Sequence, residues 1–96
     1  MELDFASNIE QPDEVILQEL PDGQSILLNT QSEHYFGLDK IGNSFYKRLV
    51  ESKTIQEAFH TLNTTYDTEP ENLKADLQEF INNLVKHDLL KIKTTE

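Results

Sequence analysis

Cysteine is absent from this chain of 96 residues, and basic side chains are scarce. Without cysteine there can be no disulfide, no thiolate metal site and no thiol nucleophile, a composition that suits a reducing compartment. Eight Lys and Arg stand against eighteen Asp and Glu, for a formal net charge of −10. Every contact to a phosphate needs a cation, and Lys40, Lys47, Arg48, Lys53, Lys74, Lys86, Lys91 and Lys93 are scattered rather than clustered. Nucleic acid and anionic membrane are therefore poor partners. Glycine occurs three times, always isolated (Gly23, Gly37, Gly42), so no phosphate-cradling loop is present. No apolar run approaches the roughly eighteen residues of a membrane span, and no basic segment leads into an apolar one at the amino terminus. These features together point to a soluble cytoplasmic protein.

Signals for catalysis are equally thin. His34, His60 and His87 fall in three different segments without ligand spacing, and none of the five serines sits in a G-x-S-x-G turn. Eighteen acids guarantee chance carboxylate pairs, most of them on solvated faces. The residues offer no enzyme chemistry, no metal site and no cofactor site.

What is present is a change of character along the chain. Residues 1–12 (MELDFASNIEQP) are acidic, weakly patterned and stopped by proline, and read as a flexible tail from which Phe5 or Ile9 could dock. Three short extended runs follow. Glu14–Leu20 and Ser25–Asn29 flank Pro21-Asp22-Gly23-Gln24, and Asp-Gly between apolar runs is a hairpin signal. After the polar turn Thr30–Glu33, the aromatic run His34–Leu38 makes a third strand of an antiparallel meander.

From Asp39, a helix cap, the period becomes helical. Ile41, Phe45 and Leu49 mark one helix. Thr54 and Glu57 form a capping box that opens a second, over Ile55, Ala58, Phe59, Leu62 and Tyr66. Thr68-Glu69-Pro70-Glu71 opens a third, carrying Leu73, Leu77, Phe80, Ile81, Leu84 and Val85. Leu89–Lys93 suits a last strand or an extended tail, and residues 94–96 are a short carboxy-terminal tail. The fold class is α+β: a three-stranded antiparallel sheet followed by three helices, like a winged helix-turn-helix.

A small meander leaves its outer strands with unpaired main-chain groups, which an extended peptide can complete. The third strand carries Tyr35 and Phe36, one of which is expected to point into the core. The apolar residues of the third helix exceed one narrow stripe, so some could line a groove.

The segments Leu27-Leu28-Asn29, His34-Tyr35-Phe36-Gly37-Leu38-Asp39-Lys40-Ile41-Gly42, Tyr66-Asp67, Asp76 with Phe80 and Leu84, and Asp88-Leu89-Leu90 resemble the PqqD-like proteins. These are recognition elements for ribosomally synthesised, post-translationally modified peptides (RiPPs). The likeness spans about residues 13 to 93, the expected domain, and is sharpest in Y-F-G-L-[DN]-x-[IV]-G. Within the family the chain is most similar to the stand-alone proteins of lasso-peptide biosynthesis. The acidic tail is not part of that pattern.

The resemblance implies a non-catalytic protein that binds the leader of a precursor peptide as a strand added to the third strand, beside the third helix. It implies Tyr35, Phe36 and Gly37 on the strand side, and a choice among Leu73, Asp76, Leu77, Phe80 and Leu84 on the helix side. Its second partner would be a leader peptidase or other maturation enzyme. The negative charge would steer a leader carrying basic residues. Two other readings stay open. The same edge could pair with a second copy in a homodimeric adaptor. A winged-helix DNA-binding regulator fits the topology, but the charge opposes it.

Overall fold

A computed structural model describes residues 5–93. Strands β1 (Asn8–Glu10), β2 (Val15–Glu19), β3 (Ser25–Asn29) and β4 (Tyr35–Leu38) precede helices α1 (Lys40–Glu51), α2 (Ile55–Thr65) and α3 (Pro70–Lys86), and β5 (Lys91–Lys93) closes the order. Strands β2, β3 and β4 form an antiparallel sheet in chain order. The α+β architecture read from sequence is the one observed.

Turn chemistry sets the register. Gly23 has φ +91°, a left-handed conformation that favours glycine, and the Asp22 carboxylate accepts the Gln24 N–H at 3.1 Å. Leu20 and Gln24 then close the hairpin, with the Leu20 N–H donating to the Gln24 carbonyl at 2.8 Å. This register sends Val15, Ser25, Leu27 and Leu38 inward, where all four are buried. It sends Ile16, Leu28 and Tyr35 outward as successive cross-strand partners, 50%, 37% and 75% exposed.

The helices cover the inner face. Asp39 caps α1 by accepting the Gly42 N–H at 2.7 Å, and Thr54 caps α2 by accepting the Glu57 N–H at 3.1 Å. Helix α3 starts on Pro70 with Glu69 at the cap position and no side-chain cap hydrogen bond. The helix ends in a Schellman motif. The Leu89 N–H reaches the Leu84 carbonyl at 2.8 Å and the Asp88 N–H reaches Val85 at 3.1 Å, with Asp88 left-handed at φ 58°. Leu27, Tyr46, Leu49, Ile55, Leu62, Leu77, Ile81 and Leu84 form the centre of the core, each at most 1% exposed.

The amino-terminal stretch departs from expectation. Residues 5–12 are not a loose tail: β1 pairs antiparallel with β5, Ile9 opposite Ile92, and Ile9 is 4% exposed. The Phe5 ring meets Phe59 edge-on at 6.0 Å, so both residues named as docking candidates do dock. The segment also completes a helix start. The Ile55 and Gln56 N–H groups, which have no partner within α2, donate to the Ser7 and Phe5 carbonyls at 2.9 and 2.8 Å. The boundary placed at residue 12 falls in the link between β1 and β2, and residues 94–96 lie outside the described residues. Among the described residues, no helix is long and apolar enough to cross a membrane.

Candidate functional site

Among the described residues, strand β4 pairs only with β3, so one of its edges carries no described strand. The Asn29 N–H donates to the His34 carbonyl at 2.9 Å, which fixes the phase of hydrogen bonding along β4. Antiparallel pairs alternate between bonded and non-bonded. Phe36 and Leu38, opposite Leu27 and Ser25, turn their main-chain groups toward β3; Tyr35 and Gly37 turn theirs to the open edge.

Gly37 sits mid-strand without any internal need for glycine. Its φ is not left-handed, and a Cβ built there meets nothing within 4 Å. A strand glycine costs roughly 0.5–1 kcal/mol relative to alanine, so this position gives up stability for bare backbone at the edge.

Beside that edge lies a pocket of about 290 Å³ between the start of α1 and the middle of α3. Ile41, Gly42, Phe45 and Phe80 give it an apolar lining, and Asp39, Asp76, Glu79 and Asn83 complete it. Phe45 and Phe80 meet edge to face, with centroids 5.5 Å apart and planes at 87°. One turn past Asn83, the His87 ring lies 6.0 Å from Phe36. Strand β4 thus approaches the carboxy-terminal end of α3 through Phe36, and the open pocket, whose lining begins at Asp39 just past β4, is the groove beside it.

The residues expected on the helix side divide. Asp76 and Phe80 line the pocket, Asp76 exposed and Phe80 partly buried. Leu73, Leu77 and Leu84 are 3%, 0% and 0% exposed; together with Ile81 they are the stripe that holds α3 on the core, and they present no surface. Helical period alone marks both stripes as candidates, and only packing tells which one faces inward. On the strand side, Tyr35 and Gly37 are exposed while Phe36 packs partly into the core. Sequence reasoning missed Ile41, Phe45 and Glu79 as pocket residues. Ile41 and Phe45 read as core at i and i+4, yet Ile41 is 53% exposed at the mouth.

Beneath the groove, the Tyr46 hydroxyl donates to the Leu89 carbonyl at 3.3 Å, and burial pushes its pKa up from the ordinary phenol value. The three histidines are exposed and lie apart in sequence and element.

The sheet with one free edge, the covering helices and the open groove define a small α+β binding domain. The chain belongs to the PqqD family: the model described as Coenzyme PQQ synthesis protein D (PqqD) matches residues 24–90. The structure of TbiB1 in complex with the TbiA(beta) leader peptide is similar, with a TM-score of 0.78 and 28% identity over 85% of this chain and 94% of that one. A structure of lasso peptide synthetase B1 complexed with the leader peptide shares the fold, with a TM-score of 0.77 and 17% identity over 88% of this chain and 98% of that one. No curated protein matches the chain.

Proposed function

We propose that this protein is a RiPP recognition element that binds the leader region of a precursor peptide, of the lasso class, as a strand added to β4 beside α3. The observation that carries this reading is the unpaired β4 edge, with Tyr35 and Gly37 turned outward, beside an apolar pocket. Main-chain bonds to the edge supply affinity, and the pocket supplies side-chain selection. The likeness to TbiB1, itself in complex with a leader peptide, supports the same partner class here. The protein then acts by presentation, handing the bound precursor to a leader peptidase or other maturation enzyme and doing no chemistry itself. Strand addition leaves the outer sheet face uncovered, and its row Ile16, Leu28, Tyr35 is apolar surface that the receiving enzyme can cover.

The test is a titration of the labelled leader peptide of the precursor encoded nearest this gene. Phe80→Ala and Gly37→Pro are compared with the parent. Proline at 37 removes an N–H that points away from β3, so the sheet stays intact while the edge loses a donor. Saturable binding by the parent, weakened about tenfold or more by Gly37→Pro, is the expected result. A folded parent that does not bind, or a proline variant that binds as well, would overturn the reading.

A further inference from the structure

The pocket at the Asp39 end of the groove is apolar in its floor and anionic at its rim. Phe45 and Phe80 supply the floor and Ile41 the mouth, and Asp39, Asp76 and Glu79 supply three carboxylates, with no Lys or Arg in the lining. One oxygen of Asp39 is committed to the Gly42 N–H. The ion pairs found among the described residues join Lys47 to Glu19, Arg48 to Glu51 and Lys93 to Glu10, so none neutralises Asp76 or Glu79. These two stand three residues apart on one helix, where like charges repel. Among the described residues, these ion pairs leave the rim uncompensated, and floor and rim are open to a ligand.

A long basic side chain answers both features at once. Its methylene stem covers apolar and aromatic surface while its charged head stays at the rim and meets carboxylates. A purely apolar side chain would fill the floor and leave the carboxylates partly desolvated without a partner. An anionic one would be repelled by the rim and by the chain's net charge of −10.

We propose that this pocket selects a Lys or Arg of the bound peptide, seated over Phe45 and Phe80 with its charge between Asp76 and Glu79. The inference rests on the peptide-binding reading above and adds to it a specificity rule. The occupant is a peptide strand with a basic residue where the strand passes the start of α1.

The experiment is a double-mutant cycle by titration with the same labelled leader. One arm replaces each Lys and Arg of the peptide in turn by Gln, which cannot disturb the protein's fold. The other arm is the Asp76→Asn/Glu79→Gln protein, whose changes are isosteric and on exposed positions. One peptide substitution should weaken binding about tenfold, the protein variant should do the same, and the two together should lose little more than either alone. Raised salt should weaken the parent pair more than the neutralised pair. Strong binding of a leader whose bound segment holds no Lys or Arg would overturn the proposal, as would additive losses. If Gly37→Pro abolishes binding while both charge arms are silent, strand addition stands and cation selection falls. If the parent binds no leader, both fall.

Discussion

The Tyr46 hydroxyl donates to the Leu89 carbonyl at 3.3 Å, and this bond ties the centre of α1 to the chain just after α3. Tyr46 is fully buried, and its pKa is raised chiefly by desolvation. The fold therefore holds the proton more tightly than the unfolded chain does, where a phenol titrates near 10. The stabilisation from this group is complete below that value and is lost as pH rises above about 10. Tyr46→Phe should cost about 1 kcal/mol at neutral pH by removing the bond. Denaturant midpoints measured from neutral pH to pH 11 should fall less steeply for Tyr46→Phe than for the parent; parallel curves would contradict the assignment.

A second tie joins sheet to helix. The buried Ser25 hydroxyl donates to Asn43 Oδ1 at 3.1 Å, and Asn43 Nδ2 donates to the Gly23 carbonyl at 3.2 Å. Asn43→Ala should destabilise by about 1–3 kcal/mol because it strands a buried hydroxyl. Adding Ser25→Ala removes the stranded group, so the double variant should be less destabilised than the sum of the single changes, in a denaturant cycle. Strict additivity would mean the two side chains are not coupled.

Asp88 occupies the position after the α3 cap where glycine is most at home, at φ 58°. Its carbonyl accepts Asn29 Nδ2 at 3.0 Å, a main-chain role that any residue keeps. Its carboxylate, meanwhile, lies at the negative end of the helix dipole. Asp88→Gly should thus stabilise the protein, by about 0.5–1 kcal/mol, readable as a higher thermal midpoint. A lower midpoint would show that the carboxylate has a stabilising partner.

The helices were legible because their signals are local. Asp39 and Thr54 make the caps their sequence positions promise, and Asp22-Gly23 makes its turn. The site was legible only in part. Asp76 and Phe80 line the pocket and Tyr35 and Gly37 are exposed on β4, whereas Leu73, Leu77 and Leu84 are buried in the core. Neighbouring stripes of one helix share the same period, and the choice between them is made by the sheet packed beneath. The strand β1 was hidden for another reason. Three residues, Asn8-Ile9-Glu10, are too few for a pattern, and their partner Lys91–Lys93 lies more than eighty residues further along the chain.

That hidden strand gives a test in which stability and binding separate. Removing residues 1–12 deletes Ile9 from against Ile92, takes Phe5 off Phe59 and frees the Ile55 and Gln56 N–H groups from their carbonyl partners. The loss of buried apolar surface alone is worth about 2–4 kcal/mol, since the freed N–H groups can be met by water. The groove is built from β4, the start of α1 and α3, none of which this segment lines. At a temperature where the truncated protein stays folded, its affinity for the leader peptide should match the parent's within about twofold, while its unfolding midpoint in denaturant drops. A tenfold gain in affinity would instead mean that the acidic segment competes with the peptide for the site; a tenfold loss would place part of the peptide's path across β1.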